Sequence, residues 1–280
     1  MHKGAEGDIF MDLVGEKLCE KFASCVNSRP IKRGTRYRVG VDLGTANVVV
    51  AVLDENGEPI AGKLKEAQVV KDGLVVDFIG ARDLLSRMIR ELSDELEEEL
   101  VDAACAVPPG TGIADSKATM YVVEASGLEV RNIVDEPTAA AKVLGITDGA
   151  VVDIGGGTTG ISVLKGGKVV YTADEPTGGT HFTLVLAGHL NLPFDEAEKI
   201  KLDEKNQKRL FPILKPTMEK VTDITRRHIQ GFDVKAIYLV GGASALYGLK
   251  DVMANALGVE VVVPKYPLYV TPLGIALSCP

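Results

Sequence analysis

The 280-residue chain has no tryptophan, and aromatic residues make up only 5% of it. Proteins that grip single-stranded nucleic acid stack bases on aromatic rings, so this composition does not indicate such a platform. An excess of positive charge is missing as well: 31 Lys and Arg stand against 39 Asp and Glu, for a net charge of −8. Without a basic surface to release counterions, general affinity for nucleic acid or anionic lipid is not expected, and only local basic patches remain open. No apolar run approaches the ~18 residues of a membrane span, and the N-terminal region has no continuous apolar core of a secretory leader. The four cysteines, Cys19, Cys25, Cys105 and Cys279, fall at no metal-ligand spacing and form no Cys-x-x-Cys pair, so they read as reduced thiols. The expectation is a soluble, cytoplasmic protein.

Two further motifs are absent. The chain contains no G-x-x-x-x-G-K-[ST], which excludes a P-loop nucleotide site as far as motif reading allows. No Ser-His-Asp or Cys-His arrangement emerges either. His189 and His228 lack a second ligand-like neighbour at i, i+4, which favours hydrogen bonding over metal binding.

What is present is ordinary globular material, 46% hydrophobic and 25% charged, enough for two lobes with their own cores. Phe10, Leu13, Val14, Leu18, Phe22 and Val26 recur at helical spacing and predict an N-terminal amphipathic helix. The basic cluster Lys32, Arg33, Arg36 and Arg38 follows as a connector. The stretch VGVDLGTANVVVAVLDENG, residues 39–57, then reads as a strand pair interrupted by Asp42 and Gly44, with a hairpin signal at Asn56-Gly57. A looser hairpin is expected around Asp72-Gly73. Residues 83–100 change to helical period, with Leu84, Leu85, Met88, Ile89, Leu92, Leu96 and Leu100 along one face. A buried strand stopped by Pro108-Pro109, a helix over residues 115–126, the strand LEVRNIVDE and a helix with Pro137 in its first turn complete the first half.

The opening figure then returns as AVVDIGGGTTGISVLKGG, residues 150–167, with Asp153 lying 111 residues after Asp42. An internal duplication of two α/β lobes is the economical account. A glycine-rich turn lets backbone N–H groups converge on phosphate oxygens, and Gly44, Thr45, Ala46 and Asn47 with Gly155, Gly156, Gly157, Thr158 and Thr159 supply such donors. An Asp closing each strand suits a shared Mg²⁺, which prefers carboxylate and water oxygens. Either copy alone reads equally well as a plain hairpin; repetition in matching strand contexts favours the ligand. A third glycine turn, Gly241-Gly242, ends the strand AIYLV where ligands of α/β folds bind, with a helix expected after it.

VDLGTAN, DEPTAAA, VVDIGGGTTGISVL and LVGGAS, in this order and in these strand and helix contexts, resemble the actin, sugar-kinase and heat-shock-chaperone ATPase superfamily. DGLVVDF, PPGT, ASGLEV, TGGTHFTL, AGHL, RHI and TPLGIA resemble, more narrowly, its small chaperone-like family of ethanolamine utilisation. The resemblance implies duplicated ribonuclease-H-like lobes around a nucleotide cleft. Residues 1–36 would be the N-terminal helix and connector, 37–147 the first lobe, and 148–280 the second, with a small subdomain around 183–232 and a connecting helix at 271–280 packing back toward the first lobe. It implies ATP or ADP with Mg²⁺ held by Asp42 and Asp153, and Glu136 orienting the attacking water. Gly178 and Gly179 would join the phosphate site, and Gly241, Gly242 and Ala243 would receive the adenosine. Glu198 and Lys201 would reach the ribose, although spacing alone reads them as an exposed i, i+3 ion pair.

Only 94 residues separate Asp42 from Glu136, so the first-lobe insertion is short. After Gly178-Gly179 the chain reads Thr180-His181 where heat-shock chaperones carry acidic residues, and His181 reads by default as a loop hydrogen-bonding group. The implied activity is a slowly hydrolysing, nucleotide-dependent switch acting on ethanolamine-degrading enzymes or components of a bacterial microcompartment. An actin-like scaffold or filament is the alternative, and a small-molecule kinase of the same fold is a third.

Overall fold

The computed structural model describes residues 14–31, 36–71, 73–110 and 112–280. Phe10, Leu13, Lys32, Arg33 and Asp72 of the expectations above lie outside them. The chain opens with α1 (Val14–Cys25), then β1 (Arg38–Leu43), β2 (Asn47–Leu53) and β3 (Pro59–Glu66). A small hairpin, β4 (Val70–Lys71) with β5 (Leu74–Val75), precedes α2 (Phe78–Leu96), β6 (Asp102–Val107), α3 (Ile113–Ala125), β7 (Glu129–Asp135) and α4 (Glu136–Leu144). The second half repeats the scheme with β8 (Gly149–Ile154), β9 (Thr159–Lys165) and β10 (Lys168–Glu175). Helices α5 (Gly179–Leu190), α6 (Phe194–Leu202) and α7 (Glu204–Ile229) follow, then β11 (Ala236–Val240), α8 (Leu249–Leu257), β12 (Glu260–Val262) and α9 (Pro267–Ser278).

The duplication is visible in strand order. One sheet runs β3-β2-β1-β6-β7 and the other β10-β9-β8-β11-β12, each with three antiparallel strands followed by two parallel ones. Strand composition follows from burial on both faces. In β2, Val48, Val50 and Val52 enter the core beneath α2, while Val49, Ala51 and Leu53 enter a central core built with α1, α4 and α9. This explains the unbroken apolar run that follows Gly44. At the far end of β2, Asp54 accepts from the Asn56 and Glu58 amides at 2.9 Å each, and Gly57 takes φ +81°, which makes the expected turn.

Helices α4 and α9 bind the two halves together. A Cβ on Gly274 would fall 1.9 Å from the Ala139 carbonyl oxygen, and one on Gly40 would fall 2.4 Å from the Ala276 nitrogen. Only glycine permits so close a backbone approach. α9 starts at Pro267, four residues before the expected 271, because Pro267 suits a first helical turn. α1 covers the junction of these helices: Phe22 is fully buried and meets Tyr269 edge to face at 5.2 Å, and Lys265 pairs with Glu20 at 2.9 Å. No helix among the described residues is long and apolar enough to cross a membrane.

Candidate functional site

Asp42 and Asp153 occupy equivalent places near the ends of β1 and β8, the central strand of each sheet. Asp153 is 6% exposed and closely enclosed. Its Oδ2 accepts from the Thr271 hydroxyl at 2.6 Å, and a Cβ on Gly241 would fall 2.3 Å from its Oδ1. Gly241 has φ +82° as well, so both its conformation and its neighbour require glycine where β11 ends. Glu136 is the first residue of α4. Asp135 caps that helix by accepting from the Thr138 amide at 2.9 Å, which accounts for the sequence DEPT.

These carboxylates share one poorly solvated floor. Burial, then the charges of Asp153 and Asp42 and, beyond them, Asp174 and Asp135, hold the Glu136 carboxyl well above its ordinary value. Burial first and Asp153 second push Asp42 up to about 7. Burial lifts Asp153 to about 6, against the lowering effect of the Thr271 hydroxyl. Mutual repulsion of this kind is relieved by a cation placed among the oxygens.

Above the floor lie two turns of the same construction: the Gly44 amide donates to the Asn47 carbonyl at 3.0 Å, and the Gly155 amide to that of Thr158 at 3.0 Å. They abut, since a Cβ on Gly156 would fall 2.9 Å from the Ala46 nitrogen. The second turn is braced by α5. Gly179 and Thr180 donate their amides to the carbonyls of Gly155 and Gly156, both at 2.8 Å, and a Cβ on Gly178 would fall 2.7 Å from the Gly155 oxygen.

A cleft of about 1720 Å³ opens over this floor. Its wall includes Asp42, residues 44–47, Glu136, Asp153, residues 155–158, Gly179, Glu198, Lys201 and residues 241–243. Thr159 and Gly178 lie behind the wall: the Thr159 hydroxyl is buried and donates to the Thr177 carbonyl, and the Gly178 amide donates to His181 Nδ1 at 3.3 Å. That bond matches the default reading of His181. After Gly241-Gly242 comes a 3₁₀ turn, Gly242–Ala245, with the α-helix delayed to α8.

Glu198 and Lys201 are not the exposed pair that spacing suggests. Lys201 is 4% exposed, and its Nζ donates to Glu198 Oε2 at 2.7 Å, Thr183 Oγ1 at 2.8 Å and the Gly179 carbonyl at 3.1 Å. Thr183 also donates to Glu198. Burial lowers the Lys201 pKa, while Glu198 opposes that shift. The ion pair therefore fastens α6 to the start of α5, inside the wall. Thr183, Gln207 and Thr271 are not legible in the sequence because each depends on a contact with another segment.

Among the described residues no group of three or more His, Cys, Asp or Glu forms a protein-only metal cage. The floor instead offers two oxygen-donor carboxylates, one from each half, beside two amide-rich turns, which suits a hard divalent ion shared with phosphate oxygens and water. A duplicated fold of this topology around a central cleft is that of the actin-like ATPases. A family model of the MreB/Mbl protein matches residues 60–203, and one of the cell division protein FtsA matches residues 150–274.

The fold is also similar to the crystal structure of MreB5 of Spiroplasma citri bound to ADP, at 18% identity and a TM-score of 0.71 over 87% of this chain and 96% of that one. Much nearer are two proteins of one kind. The ethanolamine utilization protein EutJ of Salmonella typhimurium is 42% identical over 260 residues, 92% of this chain and 91% of the relative. The crystal structure of EutJ from Carboxydothermus hydrogenoformans is 46% identical, with a TM-score of 0.88 over 94% of this chain and 99% of that one. The chain belongs to the EutJ family.

Proposed function

We propose that this protein is a magnesium-dependent, ATP-binding conformational switch of ethanolamine utilisation that hydrolyses ATP slowly and acts, in the manner of a chaperone, on a protein partner. The observation carrying the proposal is the convergence of Asp42, Asp153 and Glu136 beneath two abutting glycine turns, one set from each half. The turns at residues 44–47 and 155–158 bind the phosphate chain through backbone amides and the side chains of Thr45, Asn47 and Thr158. Asp42 and Asp153 would hold Mg²⁺, which when bound would supply neutralisation of phosphate charge. Glu136, set at the mouth of α4 by its Asp135 cap, orients the attacking water. Gly241, Gly242 and Ala243, which line the cleft where β11 ends, receive the nucleoside.

Because α4 and α9 cross between the halves, a ligand gripped from both sides alters the angle at that crossing. The surface changed by that motion is the one a partner reads. The EutJ relationship supports partners among ethanolamine-degrading enzymes or microcompartment components, and a site of action in the cytoplasm or at a microcompartment.

Calorimetric titration with ATP and ADP, with and without Mg²⁺, together with a phosphate-release assay, tests the reading. Magnesium-dependent binding with slow release is expected. Asp42→Ala and Asp153→Ala should each weaken magnesium-dependent affinity at least 100-fold, and Glu136→Ala should keep affinity while slowing release. Unchanged affinity in both aspartate variants would refute the metal site, and parental turnover in Glu136→Ala would refute the role of that residue.

A further inference from the structure

No described side chain of α1 lines the cleft, yet three consecutive residues of this helix join the two halves behind it. Glu20 pairs with Lys265, in the connection between β12 and α9, while its neighbour Lys21 pairs with Glu58 in the turn between β2 and β3. Phe22 is wedged between the same two bodies: a Cβ on Gly62 of β3 would fall 2.4 Å from its ring, and Tyr269 in the first turn of α9 meets it edge to face. The Lys265 side is fixed to the second half, because the Gly241 amide at the end of β11 donates to the Pro267 carbonyl at 3.0 Å. Lys265 and Tyr269 themselves stand in the cleft wall. Beyond α1 the chain runs along the outer edge of β3. Val26 bridges to Gly62 in parallel, and the amides of Asn27 and Ile31 donate to the carbonyls of Gly62 and Ile60 at 2.9 Å each. Asn27, at φ +53°, is a hook: its Oδ1 accepts from the Leu64 amide at 2.9 Å and its Nδ2 donates to the Leu64 carbonyl at 3.1 Å.

Resting on the nucleotide reading above, we infer that α1 and residues 26–31 form a strap across the back of the cleft, which holds the two halves at a set angle and thereby limits how fast a bound nucleotide leaves. A change of angle at the crossing of α4 and α9 moves residues 265–269 relative to β3, and α1 is fastened to both. Cys19, Phe22 and Cys25 are fully buried, so the helix stays seated while its surroundings shift. A close-packed ring between two bodies resists smooth sliding, because such contacts move between discrete arrangements. Wide opening therefore requires the strap to let go at its weaker attachment. That attachment is the hook: Asn27 is exposed, and its bonds to Leu64 can be exchanged for bonds to water.

Two variants of the full chain loosen the strap without opening the core. Asn27→Gly keeps the left-handed backbone and removes both side-chain bonds to Leu64, and Glu20→Lys turns the attraction to Lys265 into repulsion. Spin labels at Val76→Cys and Leu184→Cys, both exposed on the cleft wall, one on each half, report the angle as a distance, the four native thiols being buried. Without nucleotide, the distances should lengthen and spread in both variants. A fluorescent ADP analogue with Mg²⁺ should leave roughly five- to tenfold faster from Asn27→Gly and about twofold faster from Glu20→Lys. Adding Lys265→Glu to Glu20→Lys should restore distance and release together, which a general loss of stability would not do. Unchanged distances in variants that thermal melts show to be folded would overturn the strap and leave the nucleotide reading standing, as would a charge exchange that restores nothing. Altered distances with release at the parental rate would overturn the control of nucleotide exit. If the parent chain binds no ADP analogue, the nucleotide reading falls and control of exit falls with it, while the distances still decide whether the strap sets the angle.

Discussion

The two halves share a topology, yet they hold their carboxylate and turn in different ways. In the first half the turn at 44–47 is joined to its surroundings by a bond from the Ala67 amide to the Ala46 carbonyl at 3.2 Å. In the second, two amides of α5 brace the corresponding turn, Gly178 packs against it, Thr271 holds Asp153, and Gly241 walls it in. The strand ends differ in keeping: β6 stops at Pro108-Pro109, whereas β11 stops at Gly241-Gly242. Duplication preserved the strand order, while the insertion after the third strand diverged into a small hairpin and one helix on one side and three helices on the other. The helical insertion braces the second turn, while Gly241 and Thr271, outside it, enclose the aspartate.

The largest test of that asymmetry compares glycines. Gly241→Val places a branched side chain at φ +82° and against Asp153, so it should cost about 3–5 kcal/mol in denaturant unfolding. Gly44→Ala in the opposing turn meets only the Asn47 carbonyl oxygen, at 2.9 Å, and should cost about 1 kcal/mol. Equal losses would mean that the two seats are equally enclosed.

Lys201→Met probes the brace itself. It leaves the Gly179 carbonyl, Thr183 and Glu198 without their shared donor, and a loss of about 2–3 kcal/mol is expected. If α5 holds the second turn through this anchor, hydrogen exchange at the Gly179 and Thr180 amides should accelerate in the variant while the Gly44 amide stays as it was. Acceleration at Gly44 alone would reverse the assignment.

The carboxylates themselves give a smaller effect with a definite sign. Burial raises Asp42 to about 7 and Asp153 to about 6, so the native chain keeps protons that the unfolded chain has released. Stability of the magnesium-free protein from this source is therefore full below about pH 4 and is lost as pH climbs through 6 to 7. Asp42→Asn and Asp153→Asn should each raise stability at pH 8 by about 1–2 kcal/mol, with no gain at pH 4. Thermal melts across pH read this directly; a loss at pH 8 in both variants would show that the charges are already compensated in the fold.

How much of this could be read beforehand depended on the range of the contacts. The glycine turns, each with its aspartate, the helix start at Pro137 and the stop at Pro108-Pro109 are local, and residues a few positions apart determine them. The two-sided burial of β2 was legible as an apolar run, though not which core each valine enters. Spacing alone reads Lys201 as exposed because the i, i+3 rule concerns one helix and takes no account of α5 packed against it. α7 continues through Pro212 and Pro216, against their intrinsic preference, because Leu210, Leu214, Met218 and Val221 bury the same face. Thr271 lies 118 residues from its partner Asp153, beyond the reach of any pattern in sequence.

Thr271 also permits the finest adjustment of the comparison. Its hydroxyl donates to the ionised form of Asp153 and thereby opposes the rise that burial causes there. Thr271→Val keeps the side-chain shape and removes the donor, at a cost of about 1 kcal/mol or less at pH 8. The midpoint of Asp153, followed by carboxyl carbon NMR, should move up. An unmoved Asp153 would remove α9 from any part in tuning the site.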